Sequence, residues 1–454
     1  MNKYIPTVLK KVDKGLVLLL ILPWLLLLNN DIWLFDFNVL IDAWLYLGFF
    51  LRFEQLLSVY GDTYYAGRLG WILPGHFIFE VFPPLVAQYI LHIGFYYLAI
   101  LSIYFLLKRI VDDRSALLAS VMMGCHAWFL FAIGSNYVNG AGIAYFSAAL
   151  LMLTLAATQK THWKVFLSLA GAVYGLAIYS NLSWILLTPS LAFYYLLINR
   201  KHQKYSLVRS SALLLIGFFA ITLLLGVINS SINGRFFFFL PSVNFVKYTN
   251  SYQQSPYKLS WSVWLPNALW LLLWITTFIS AVALSLFSYI KKSPPLKSVF
   301  TSLQICLLLA SLPFVGLQIG KEPMLQLYYY ASYLMPLTFI AIGGQFYQLK
   351  PTLSHLKSYQ FSCILSVIIL VALIAYQLPT NLINIENNAI FLTLFSCVFW
   401  FIWLSAGLLD CLPTKRLLSN ALFVFILTFN IINFTSIVYT TNSLKSLILS
   451  INGD

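Results

Sequence analysis

The chain has 454 residues, of which 61% are hydrophobic and 9% charged, with a formal net charge of +14. Soluble domains carry about 25% charged residues, so this composition excludes a soluble enzyme and implies a polytopic, all-α membrane protein. The positive charge therefore reads as loop topology, and nucleic acid is not an expected partner.

In chain order, an apolar run over 14–30 follows Lys10, Lys11 and Lys14, and no small-residue cleavage site comes after it. It reads as an uncleaved first anchor rather than a removed leader. Next comes an outer loop, 29–84, holding Asp31, Asp36, Asp42, Glu54, Asp62 and Glu80, six of the 13 acidic residues. Charges are expensive in lipid and concentrate where they have a task, so this loop is expected to carry the site. Within it, 35–53 reads as one interfacial helix with Asp42 and Tyr46 on a shared face, and Asp36 as a helix cap.

Spans of about 20 apolar residues then follow at 85–107, 115–133, 141–158, 165–181, 183–198, 206–229, 262–290, 298–318, 324–346, 359–378, 389–409 and 417–438, thirteen with the first. Their loops give a test of orientation. With the N-terminus inside, 20 of the 27 Lys and Arg residues fall on the inner side, and every inner loop is basic. The expected topology is a cytoplasmic N-terminus and a C-terminus on the outer side. The whole chain, 1–454, reads as a single transmembrane domain, in a bacterial cytoplasmic membrane.

Asp42 sits among Trp44, Tyr46 and Phe49, where partial desolvation suits a general base; the plainer role is an interfacial charge that keeps its helix at the surface. Arg68, between Tyr64-Tyr65 and Trp71, offers a planar fork for a phosphate or carboxylate, with a snorkelling arginine as the alternative. Lys321, ahead of Tyr329, is a second phosphate candidate, although a lysine and aromatic belt is common at interfaces. Asn139 lies in an outer turn and either binds substrate or merely turns the chain. Asp36 and Asp62 are candidates for a second acid. His92 and His126 are isolated, Asp36-Phe-Asn38 is a degenerate metal motif, and the five cysteines show no zinc spacing. No cofactor is expected, and a divalent metal is the less favoured alternative. Midplane charges of the kind ion-coupled transporters use are lacking, as is a Walker-type phosphate loop.

The pattern Asp42-x-Trp-x-Tyr46-x-Gly48, then Tyr64-Tyr65-x-x-Arg68-x-x-Trp71-Ile-x-Pro74, Tyr137-Val-x-Gly140 and Tyr329-Tyr330-x-x-Tyr333-x-x-Pro336 resembles the GT-C superfamily of membrane glycosyltransferases. It is most similar to the bacterial protein O-mannosyltransferase and aminoarabinose-transferase type. The resemblance implies a polyprenyl-phosphate sugar donor and a lipid, glycan or protein acceptor on the outer face. It makes Asp42 the catalytic acid residue, Arg68 and Lys321 the holders of the donor phosphate, and Tyr46, Tyr64, Tyr65, Trp71, Asn139 and Tyr329 the substrate-binding set. One departure stands out: related sequences often place an Asp where this chain has Asn139. The alternatives are a lipid-linked sugar flippase or other transporter, and a polysaccharide ligase or polymerase, which would use Arg and His in a large late loop.

Overall fold

The computed structural model describes residues 13–29, 32–35, 40–61, 63–159, 161–202, 206–251, 258–265, 268–290, 298–320 and 322–348. Among them the secondary structure is helical throughout. The expected spans at 359–378, 389–409 and 417–438 lie outside the described residues.

The first helix, α1 (Lys14–Asn29), is capped by Asp13, whose Oδ1 accepts from the Gly15 and Leu16 amides at 3.0 and 3.2 Å. A short 3-10 turn, Ile32–Phe35, leads to α2 (Leu40–Leu51) and α3 (Phe53–Tyr60). The single helix expected over 35–53 is thus interrupted at Arg52, and Phe35 belongs to the 3-10 turn. It also does not lie loose on a surface. Ala43, Tyr46, Leu47, Phe49 and Phe50 are buried, against α4 (Leu69–Val81). Phe50 meets Trp71 and Phe79 of α4 with ring centroids 5.1 and 5.4 Å apart. The physical reason is the near-continuous apolar sequence LIDAWLYLGFFL, which leaves no polar stripe to face water and is buried from more than one side.

Then come α5 (Pro84–Ile110), α6 (Asp113–Gly124), α7 (Ala127–Gly134), α8 (Asn139–Thr158), α9 (Trp163–Ser180), a 3-10 turn Leu182–Leu187, α10 (Thr188–His202) and α11 (Leu207–Asn233). Pro84 opens α5, where its missing amide hydrogen is harmless, and the Asp112 carboxylate caps α6 through the Arg114 and Ser115 amides. Helix α6 and α7 together form one apolar passage bent by 64°. The chain breaks expected near 134–142 and 181–184 are both present, between α7 and α8 and between α9 and α10.

The rest consists of α12 (Leu240–Ser251), α13 (Trp261–Trp264), α14 (Leu272–Ile290), α15 (Ser298–Ile319), α16 (Tyr328–Ala331) and α17 (Met335–Gln348). Two expected spans are therefore shorter than read. The run 262–290 is continuous only from Leu272, and 324–346 only from Met335. Both long readings counted apolar content alone, and that of 324–346 passed over Pro336, which sits in the first turn of α17, where proline opens a helix rather than continuing one.

Six of the described helices are long and apolar enough to cross a membrane, or seven when the bent α6–α7 passage is counted. Their burial ranks them. The apolar window of α8 is 89% buried and that of α11 only 17%. Helix α8 is the centre of the bundle, while α11 presents Val208, Ile216, Phe219, Leu224 and Val227 outward, as a lipid-facing helix does.

Candidate functional site

Two residues one helical turn apart begin the site. Asp42 and Tyr46 lie on α2, and the loop 61–68 folds back over them. The Tyr65 hydroxyl donates to Asp42 Oδ1 at 2.9 Å. One arginine nitrogen of Arg68 donates to the Tyr46 hydroxyl at 2.6 Å. The acid and the base that sequence placed in one loop are thus brought together, yet they do not form an ion pair. Phenols stand between them.

Arg68 is only 9% exposed. Its guanidinium carbon lies 4.9 Å from the Tyr64 ring centroid, 5.3 Å from Tyr137, 5.7 Å from Tyr46 and 5.9 Å from Tyr65. Ring faces attract a cation, each by roughly 0.5–2 kcal/mol, but they do not neutralise it. No carboxylate among the described residues pairs with it. A buried charge without a counter-ion is costly, so this position favours an anionic ligand.

Tyr137 comes from the turn between α7 and α8 and also meets Tyr329 of α16, at 5.6 Å between centroids. Tyr329 and Tyr330 continue the ring of phenols. Burial pushes the Tyr64 phenol well above its ordinary range and the Tyr65 phenol up to about 12. Both remain neutral hydrogen-bond donors near neutral pH.

On its other side the loop packs against the segment that runs from the end of α11 into α12. The Tyr64 ring is tilted against Tyr65 at 4.0 Å and stacks on Phe245 of α12 at 4.3 Å. Ser242 Oγ donates to the Tyr64 carbonyl at 3.3 Å. Gly67 allows this approach, since a Cβ there would stand 2.8 Å from the Phe238 carbonyl oxygen. Between loop and segment lies a cavity of about 800 Å³. Tyr64, Tyr65, Phe236, Phe238, Phe245 and Arg235 are among its lining residues. Aromatic side chains make up about half of its lining, and Arg235 is its one charged residue among those described.

The remaining expected residues divide clearly. Trp71 is buried under the cluster, and its indole nitrogen donates to the Asn136 carbonyl at 3.2 Å. The Asn139 amide donates to the Tyr329 carbonyl at 2.8 Å, tying α8 to α16. Both were expected at the substrate, and both have inward partners that hold the cluster's walls. Asp36, Asp62 and Lys321 lie outside the described residues. His92 is a packed core histidine, bonded to the Ile133 carbonyl and, at 2.9 Å, to Asn136.

The sequence reading did not name Phe236, Phe238 and Phe245. The run Arg235-Phe-Phe-Phe-Phe239 was visible as aromatic, but nothing local showed that it faces a loop some 180 positions earlier.

Residues 75–228 match the family model for dolichyl-phosphate-mannose-protein mannosyltransferase. The resemblance to GT-C membrane glycosyltransferases holds. The matched GT-C segment starts at Gly75, so Asp42 and Arg68 precede it. Among solved structures, ArnT from Cupriavidus metallidurans bound to undecaprenyl phosphate is similar at 13% identity and a TM-score of 0.42. That alignment covers 93% of this chain and 77% of ArnT. ArnT in the apo state aligns at 13% identity and a TM-score of 0.36, over 77% of this chain and 63% of its own. No curated protein matches the chain.

Proposed function

We propose that this chain is a GT-C glycosyltransferase that moves a sugar from a polyprenyl-phosphate donor to an acceptor on the outer face of a bacterial cytoplasmic membrane. The observation that carries this reading is the caged Arg68: a buried cation with no carboxylate partner among the described residues, close to a hydrogen-bonded Asp42. A donor phosphate supplies the missing negative charge, and the adjacent carboxylate supplies a base. The family match over residues 75–228 supports the same class.

In the proposed step Asp42 takes the proton of an acceptor hydroxyl or amine. The freed lone pair forms a bond to the anomeric carbon as the bond from that carbon to the phosphate oxygen breaks. The electron pair leaves with the polyprenyl phosphate, whose charge Arg68 stabilises. Lys321 is assigned to the same phosphate. One displacement inverts the anomeric centre. The aromatic cavity beside Tyr64 and Tyr65 suits the first isoprene units of the carrier, and the acceptor is a lipid, a glycan or a protein.

The test incubates purified protein with polyprenyl-phosphate sugars and follows the glycosylated product, comparing wild type with Asp42→Asn and Arg68→Ala. Transfer by wild type and its loss in both variants is the expected result. Undiminished transfer by Asp42→Asn rejects the base, and uphill solute movement into vesicles without a glycosidic product rejects the enzyme.

A further inference from the structure

The hydrogen bond between Tyr65 and Asp42 bears on how a carboxylate in this position works. Oδ1 accepts from the Tyr65 hydroxyl at 2.9 Å, whereas Oδ2 has no hydrogen-bond partner among the described residues. A carboxylate on a short side chain rotates about its last bond. Fixing one oxygen aims the other. Tyr65 is itself held, its ring tilted against Tyr64 at 4.0 Å between centroids, and Tyr64 stacks at 4.3 Å on Phe245 of α12. The same three rings line the cavity. A continuous row of ring contacts therefore runs from the cavity wall to one oxygen of the acid.

We infer that Tyr65 is a positioning residue for the proposed base, holding Oδ1 of Asp42 so that Oδ2 receives the acceptor proton, and that Tyr64 and Phe245 hold Tyr65 in place. The inference rests on the glycosyltransferase reading above. The proton passes from the acceptor to Oδ2, and Tyr65 neither gains nor loses one. Its phenol, held neutral by burial, stays a donor throughout.

Among the described residues, the titratable and charged groups around Asp42 are Tyr46 of α2, Tyr64, Tyr65 and Arg68 of the loop, Tyr137 of the turn before α8, and Tyr329 of α16. Of these, Arg68 alone is charged near neutral pH, and it bonds to Tyr46 rather than to Asp42.

The experiment uses the full chain in detergent or nanodiscs and two variants, Tyr65→Phe, which keeps the ring, and Phe245→Ala, at a 42% exposed position. Two readouts are taken. The first is single-turnover transfer together with donor KM. The second is the side-chain orientation of Asp42 in density maps of wild type and Tyr65→Phe, independent of any transfer. In Tyr65→Phe the rate falls by about tenfold with donor KM unchanged, and the carboxylate leaves the orientation it has in wild type. Phe245→Ala lowers the rate in the same way by less. A rate and an orientation that match wild type in Tyr65→Phe, or a raised donor KM at unchanged rate, overturn the role of Tyr65. A wild type that transfers no sugar, with the Asp42 orientation lost in Tyr65→Phe, removes the glycosyltransferase reading and with it the proton-accepting role, while the Tyr65–Asp42 coupling stands.

Discussion

The chain contains two clusters made of the same three ingredients, an acid, a base and a tyrosine, and it arranges them in opposite ways. Beside the start of α1, Lys108 Nζ lies 2.6 Å from Asp13 Oδ2, and the Tyr104 hydroxyl donates to the same carboxylate at 2.9 Å. Charge meets charge, and the pair fastens α1 to α5. Between α2 and the loop after α3, Asp42 and Arg68 each bond to a phenol, and the two charges are not joined. An ion pair already closed on itself has little left to offer a ligand. One held open by neutral donors keeps both charges available, at a cost in stability that a purely structural cluster has no reason to bear. The difference separates a fastening from a site using geometry alone.

The strongest way to break this comparison is to remove the open cluster's charges one at a time. Asp42→Asn is isosteric and keeps an acceptor for Tyr65. Loss of the base is expected to lower the transfer rate by about 10²–10⁴-fold, measured as single-turnover transfer with saturating donor. Arg68→Lys and Arg68→Ala test the cation. Lysine keeps charge but loses the planar fork, so it should retain part of the activity, while alanine should raise donor KM by roughly 10- to 100-fold. Equal activity of wild type and Arg68→Ala would place the phosphate elsewhere.

The ingredients of the open cluster were legible in the sequence, but its walls were not. Asp42 and Tyr46 are four apart, and helical spacing alone puts them on one face. Tyr64, Tyr65 and Arg68 share a few residues of one loop, so their proximity to each other needed no fold. Tyr137, Tyr329 and Phe245 are brought in by the packing of α7 and α8, α16 and α12, and no local periodicity encodes contacts across such separations. The same limit explains the helix expected over 35–53. Periodicity marked an apolar stretch correctly but could not show that α4 would bury it. For the spans, apolar length located α5, α8, α9, α11 and α15 well, because lipid and core both select the same residues. It failed at 262–290 and 324–346, and in the second Pro336 opens the helix late.

Two smaller changes sharpen the comparison without touching a charge. Tyr46→Phe removes the hydroxyl that accepts from Arg68 at 2.6 Å while keeping the ring. A buried hydrogen bond to a charged group contributes about 1.5–3 kcal/mol, so donor affinity should fall by roughly tenfold, read by titration with polyprenyl phosphate. Gly67→Ala sets a methyl group 2.8 Å from the Phe238 carbonyl oxygen, a backbone atom. The loop and the outer segment must part by a few tenths of an ångström. A fall in transfer of about threefold, with donor KM affected more than the rate, is expected from such a shift.

The closed cluster gives the smallest effect on chemistry and the cleanest contrast. Burial pushes the Asp13 carboxyl up, but the bonds from Lys108 and Tyr104 outweigh it and hold the carboxyl below its ordinary value of 3.8. A carboxyl depressed by folding contributes stability that is present above its unfolded value and is lost as pH falls through its folded value. Lys108→Ala should therefore lower thermal stability at neutral pH, by about 1 kcal/mol for a partly exposed pair, and the difference from wild type should vanish as pH falls through the lowered folded value of Asp13. Asp13→Asn should behave alike, and neither should change the rate of transfer, because the cluster lies at the other end of α5 from the phenol cage. Were Lys108→Ala to lower the rate of transfer as Tyr65→Phe does, the distinction between a fastening and a site would fail for this protein, and the open arrangement around Arg68 would need another cause.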